Sequence, residues 1–121
     1  MACSVLIVDD HRGFRVWARG FLEAAGYRVA GEAGDGQDAI RVAGRSRPDV
    51  VLLDVHLPDM DGFEVARRLA DVDGEGPDVV LISSREPGDF GRRIIESGAL
   101  GFISKEDLSS ATLGTLLSRG C

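Results

Sequence analysis

Two apolar runs in this chain end abruptly on acid. Leu6-Ile7-Val8 leads straight into Asp9-Asp10, and Val50-Val51-Leu52-Leu53 leads straight into Asp54. A short run that is apolar at every position, without alternation, reads as a strand buried on both faces. Such strands belong to a parallel sheet with helices above and below. A carboxylate just past the end of such a strand stands at the mouth of the core. Were the two strands parallel neighbours, all three acids would meet at one edge of the sheet. Like charges that close repel one another, so the arrangement makes sense around a cation.

The rest of the chain supplies what that sheet needs. Strands are expected at Val5–Val8, Arg28–Glu32, Val50–Leu53, Val79–Ile82 and Gly101–Ser104. Helices are expected at Phe14–Ala25, Gln37–Gly44, Gly62–Ala70, Asp89–Ser97 and Asp107–Ser118. In the first helix, Phe14, Ala18, Phe21, Leu22 and Ala25 fall on one apolar stripe at helical spacing. Gly26, Gly34-Asp35-Gly36, Pro48-Asp49, Gly74-Glu75-Gly76-Pro77 and Gly98 punctuate the connections. Strict alternation gives an α/β fold, a five-stranded parallel sheet with helices on both faces. Right-handed crossovers leave few topologies, and the flavodoxin-like order 2-1-3-4-5 leads. Its switch point lies between strands 1 and 3, whose ends carry Asp9-Asp10 and Asp54. Ligands bind at that crevice, so topology and the acids point to the same place.

Length and charge narrow the function classes. With 121 residues the chain is expected to form a single domain over residues 1–121. A net charge of −6 argues against direct contact of this chain with nucleic acid or an anionic membrane. No apolar stretch approaches the ~20 residues of a membrane span. Met1-Ala2-Cys3-Ser4 has no basic region leading into a long apolar stretch, so a secretory signal is not expected. Cys3 and Cys121 stand at opposite ends without metal-ligand spacing, and two free thiols in a cytoplasmic protein are expected.

Several residues at the strand ends are candidates for chemistry, and each has an ordinary structural duty beside it. Asp54 is a carboxylate able to attack phosphorus, or a strand-ending residue that caps a turn. Asp9 and Asp10 suit a hard cation such as Mg²⁺, though Asp10 alone could cap the first helix. Ser83 directly follows Leu81-Ile82, and its hydroxyl can bond a phosphoryl oxygen or simply hold a turn. Lys105 follows the apolar strand Leu100-Gly101-Phe102-Ile103. It is the single Lys among 14 basic residues, the others being Arg. A compact ammonium can pair with a phosphoryl oxygen and a carboxylate together, and a solvated lysine is the plain alternative. Leu57-Pro58-Asp59-Met60-Asp61-Gly62 shapes a loop that would let the His56 carbonyl face the metal. It is not a calcium loop, because Leu57 and Arg68 stand where that pattern requires acids. His11 and His56 flank the acids and read as surface residues or as supports of the ligands.

Taken together, Asp9-Asp10, Asp54, Leu57-Pro58-x-x-Asp61-Gly62, Ser83-Ser84 and Lys105 closely resemble the receiver domain of two-component response regulators. The resemblance covers essentially the whole chain. Val8-Asp9-Asp10-His11, Gly31-Glu32-Ala33 and Lys105-Glu106-Asp107-Leu108 look like the NarL/FixJ-type subclass, whose members usually carry a C-terminal DNA-binding domain. The resemblance implies that a histidine kinase passes a phosphoryl group to Asp54. Asp10, Asp54 and the His56 carbonyl would bind Mg²⁺ directly, Asp9 mostly through water. Ser83 and Lys105 would hold the phosphoryl oxygens. Ser83 and Phe102 would then move, and the surface of the fourth helix, fifth strand and fifth helix would change shape to dimerise or to release an effector. Such a chain is a phosphoacceptor switch rather than an enzyme acting on a separate substrate.

The departures from the family pattern remove no group that the chemistry needs. Ser83 stands where Thr is common, Phe102 where Tyr is common, and Glu106 where Pro is frequent. Two rivals are weighed against this reading. A haloacid-dehalogenase-type phosphatase needs a second Asp two residues after the nucleophile, and His56 stands there. A degenerate receiver, acting as an unphosphorylated interaction module, would keep the fold without using Asp54.

Overall fold

The apolar runs become the inner strands of one parallel sheet. The computed structural model describes residues 2–70 and 76–117. The strands are β1 (Ser4–Val8), β2 (Arg28–Ala33), β3 (Val50–Asp54), β4 (Asp78–Ser83) and β5 (Gly101–Ser104). The helices are α1 (Arg12–Ala24), α2 (Gly36–Ser46), α3 (Gly62–Ala70), α4 (Arg93–Glu96) and α5 (Ser110–Leu116). All pairings are parallel and the order is β2-β1-β3-β4-β5, as the alternation of elements required.

Strand periodicity explains why the runs are apolar throughout. Successive side chains point to opposite faces. Leu6, Val8, Val51, Leu53, Val79 and Leu81 enter one core layer with Ala39 and Ala43 of α2 and Phe63, Ala66 and Leu69 of α3. Val5, Ile7, Val50, Leu52, Val80 and Ile82 enter the other with Ala18 and Leu22 of α1 and Leu113 of α5. A polar residue at any of these positions would lose water on either face. Asp49 ties the opposite end of the sheet, accepting from the backbone N–H of Ser4 at 2.9 Å.

Three expectations need correction. The fourth helix was expected over Asp89–Ser97, but only Arg93–Glu96 is α-helical, after a 3₁₀ turn at Pro87–Asp89. Gly91 takes φ +58°, a left-handed conformation that interrupts an α-helix at that point. The fifth helix was expected from Asp107, yet it starts at Ser110, because Ser109 caps it by accepting the Thr112 N–H at 3.1 Å. Its expected end, Ser118, lies outside the described residues, as do Gly74 and Glu75 of one expected connection. The free-thiol expectation also fails. Cys3 is buried and disulfide-bonded, and no described cysteine is free. Cys121 lies outside the described residues. Sequence distance misled here, since Cys3 packs in the same core layer as Leu113 and Leu117 near the other end of the chain. No described helix is long and apolar enough to cross a membrane.

Candidate functional site

The β1–β3 pairing brings the acids together. Val8 is in register with Leu53, so Asp9 and Asp54 emerge side by side at the same sheet edge. Ligand atoms from Asp9, Asp10, His11 and Asp54 lie within 4.8 Å of one another. Asp9 and Asp54 are buried, while Asp10 is exposed. The alternative duty of Asp10 as a helix cap is not what the fold uses, since His11 is the N-cap of α1 and no side chain caps there.

Lys105 reaches this edge from the end of β5. Its Nζ donates to Asp9 Oδ2 at 2.6 Å and to Asp54 Oδ2 at 3.4 Å. It also stands 4.5 Å from the centroid of the Phe14 ring, a cation–π contact. It is therefore not a solvated lysine. Asp9 Oδ1 accepts the His11 N–H at 2.7 Å, and Asp54 Oδ1 accepts the His56 N–H at 3.0 Å. Asp54 thus holds a local turn as well as facing the lysine.

Burial sets the charge state of the pair. It works to raise both carboxyls. For Asp9 the bond from Lys105, then that from the His11 N–H, outweigh burial and hold the group below the usual carboxylate range. For Asp54, burial dominates and the neighbouring Asp9 charge adds to it, so its carboxyl is pushed up to about 6. The two acids hold Lys105 above the usual lysine range against the burial that would lower it. One ammonium among three carboxylates leaves an excess of negative charge at oxygen donors. A hard divalent cation fits that donor set. The His11 Nδ1, 3.2 Å from Asp9 Oδ1 and 3.1 Å from Asp10 Oδ1, supports the acids more closely than sequence alone suggested.

The loop after β3 is strapped on both sides. Asp59 accepts the Gly36 N–H at 2.7 Å and the Gln37 N–H at 2.9 Å, capping the start of α2. Those backbone N–H groups hold Asp59 below the usual carboxylate range. Asp61 pairs with Arg93 of α4 and bridges back to His56. Gly62 is required by close approach, since a Cβ there would stand 2.7 Å from the Val55 Cα and press on the Asp54 carbonyl. A cavity of about 270 Å³, lined by Leu57, Pro58, Asp59, Met60 and Arg93 among others, lies along this loop rather than over the acids.

Ser83 ends β4, one residue past the Asp54–Ile82 pair. It is fully buried, and its hydroxyl accepts the Arg85 N–H at 3.0 Å, which is the turn role anticipated as its alternative. Phe102 is half-buried, with its ring 5.6 Å from that of Phe90. Phe90 lies 5.5 Å from Phe63 and 5.9 Å from the His56 ring. This buried hub links the loop after Asp54 to β5. Sequence reading passed over Phe90 because it sits between glycines, outside any periodic stripe.

The model of the response regulator receiver domain matches residues 5–114 of this chain. The chain belongs to that family. The receiver is 38% identical to BvgA of Bordetella pertussis, named as a transcription regulator of virulence factors, over 104 residues covering 86% of this chain and 49% of BvgA. It is 42% identical to a protein-glutamate methylesterase/protein-glutamine glutaminase of Hahella chejuensis over 104 residues, 84% of this chain and 30% of that protein. The signal receiver domain of NarL from Mycobacterium tuberculosis superposes with a TM-score of 0.84 at 31% identity, covering 98% of each chain. The receiver spans about half the length of the first curated relatives it matches. Receiver domains of response regulators are signalling switches that interact with histidine kinases. Its order β2-β1-β3-β4-β5 is that of the CheY-like neighbours.

Proposed function

We propose that this receiver takes a phosphoryl group from a histidine kinase onto Asp54 and returns it to water, with the two states differing at the surface of α4, β5 and α5. The observation that carries the reading is the buried Asp54 carboxyl at the β1–β3 switch point, with Lys105 and two further acids around it. Asp9, Asp10, Asp54 and the His56 carbonyl would hold Mg²⁺. Bound there, the cation supplies neutralisation of charge on the acids and on the transferring phosphoryl oxygens.

The chain's own residues do the rest. The His56 N–H fixes Asp54 Oδ1. Asp54 Oδ2 accepts Lys105 at the longer distance of 3.4 Å and is the oxygen available for attack. The Oδ2–P bond forms as the P–N bond of the donor phosphohistidine breaks, its electron pair returning to the imidazole. Lys105 and the Ser83 hydroxyl then bind phosphoryl oxygens, which draws Ser83 away from its turn. Phe102 responds by moving toward the space Ser83 leaves. Phosphorylation replaces one negative charge on Asp54 with about two, a local change that such a switch converts into a new surface.

The output is proposed from the relatives. The receiver would act in the cytoplasm within a longer protein, joined to a C-terminal DNA-binding domain, and would control transcription through homodimerisation of the phosphorylated form. Residues 1–121 would form one domain that itself touches neither nucleic acid nor membrane. Incubation with acetyl phosphate and Mg²⁺ tests the central step. A mass gain of one phosphoryl group that disappears in Asp54→Ala is expected. An unchanged mass for the wild-type chain with acetyl phosphate and with a phosphorylated histidine kinase would favour an unphosphorylated interaction module.

A further inference from the structure

The sequence segment Gly31-Glu32-Ala33 has a physical role at the site. Glu32 of β2 accepts Arg15 Nε at 3.2 Å and Arg19 Nε at 2.9 Å. Arg15 extends its Nη1 in a second direction and donates it to the Asp9 carbonyl at 2.7 Å. The side chains of Arg15 and Glu32 are 20% and 27% exposed, so water competes with these bonds only in part. The Asp9 N–H meanwhile donates to the Ala33 carbonyl at 3.0 Å. The Asp9 backbone is therefore gripped by β2 twice, directly through Ala33 and indirectly through Arg15 and Glu32.

That grip bears on Asp10. The Asp9 carbonyl and the Asp10 N–H belong to one planar peptide unit. A donor fixed on the carbonyl fixes the orientation of the plane that leads into Asp10. Asp10 needs such help, because its side chain is 37% exposed and its described partner is the His11 ring, itself 74% exposed. A side chain held so lightly takes its direction from its backbone. The task also demands arginine. Nε and Nη1 serve two acceptors in a fixed fork, whereas one ammonium on a flexible stem presents no such fork.

We propose that Arg15, braced by Glu32, is a positioning residue for the acid cluster. It sets the direction in which the connection between β1 and α1 presents Asp10, and it touches neither the cation nor the phosphoryl group. The inference rests on the reading of Asp9, Asp10 and Asp54 as an Mg²⁺ site.

The sign of one substitution separates positioning from simple charge. Arg15→Met removes a positive charge beside a cation site, so electrostatics alone would tighten Mg²⁺ binding. Positioning requires the opposite. Calorimetric titration of the metal-free chain with MgCl₂ is expected to show affinity lower by roughly 10-fold or more in Arg15→Met, within the range seen for residues that orient metal ligands. Arg15→Lys keeps the charge and is expected not to restore it. Without metal, exchange of the His11 amide, which is bonded to Asp9 Oδ1, is expected to be faster in both variants. Equal or tighter Mg²⁺ binding with unchanged His11 exchange overturns the inference. A wild-type chain that fails to bind Mg²⁺ would instead overturn the metal reading, and the exchange comparison would still decide the clamp. If Arg15→Met does not fold, Arg15→Lys carries both measurements.

Discussion

Lys105 stands closer to Asp9 than to Asp54, with its Nζ at 2.6 Å from the first and 3.4 Å from the second. The lysine therefore neutralises the acid that is not the proposed acceptor. Asp54 is left buried, with Oδ1 on the His56 N–H and Oδ2 on the longer contact to Lys105. In double-mutant cycles Lys105 is expected to couple more strongly to Asp9 than to Asp54. Lys105→Met alone is expected to cost about 1–3 kcal/mol at neutral pH, since it strands two buried carboxylates. Urea unfolding of the single and double variants in chelator measures both quantities, and equal couplings would contradict the asymmetry.

The same asymmetry makes stability depend on pH in a particular direction. The Asp54 carboxyl rises from 3.8 to about 6 on folding. A carboxyl raised in this way costs nothing below its unfolded value, where both states are protonated. The cost grows as pH climbs between the two values and is complete above about 6. Its size is on the order of 3 kcal/mol. Asp9 works oppositely, its contribution being present above 3.8 and lost as pH falls further. Asp54→Asn removes the cost without removing Asp9. In metal-free buffer that variant is expected to be more stable than wild type at pH 7, with the difference fading toward pH 4. Parallel urea titrations at the two pH values check it.

Gly62 has no room for a side chain. A Cβ would meet the Val55 Cα at 2.7 Å and the Val55 carbonyl oxygen at 2.9 Å, on rigid backbone that also carries Asp54. Gly62→Ala is expected to destabilise the fold by about 3 kcal/mol and to weaken Mg²⁺ binding, because relief requires the strand end to shift. Gly44, where an added Cβ would meet no atom within 4 Å, is the matched control on a helix. Gly44→Ala is expected to be neutral or mildly stabilising in the same unfolding assay.

Phe90 joins three rings, those of His56, Phe63 and Phe102. Phe90→Ala is expected to lose about 2–4 kcal/mol, somewhat below a fully enclosed aromatic because Phe90 keeps 8% exposure. Amide exchange in the loop after β3 is expected to accelerate together with that of β5. Acceleration in only one of the two would show that the ring cluster does not connect them.

His56 holds the acceptor through its backbone, and its side chain is exposed beside it. His56→Ala keeps the N–H and removes the ring. The lifetime of the phosphoryl group on the purified chain is expected to change by several-fold, with phosphorylation itself retained. An unchanged lifetime in a decay assay would contradict a role for the imidazole.

The sheet order and the meeting of Asp9, Asp10, Asp54 and Lys105 were legible because each depends on local patterns. Apolar runs mark buried strands, and alternation with helices fixes which strand ends converge. What escaped reading depends on pairs far apart in sequence or on single backbone angles. Asp59 capping α2 joins positions 23 apart, and Arg15 reaching Glu32 joins positions 17 apart. Neither has a periodic signature. The shortened α4 follows from one left-handed glycine in a stretch whose composition still suits a helix. The bonded state of Cys3, which packs in the same core layer as Leu113 and Leu117, has no local pattern that encodes it.

Chemical mapping of the phosphoryl group is the most direct measure of the central claim. An acyl phosphate on aspartate is reduced by borohydride to homoserine, which marks the residue permanently. After treatment with acetyl phosphate and Mg²⁺, then borohydride and proteolysis, homoserine is expected at position 54 and at no other aspartate. Homoserine at Asp9 or Asp10, or its absence from a chain shown to have taken up phosphoryl, would contradict it.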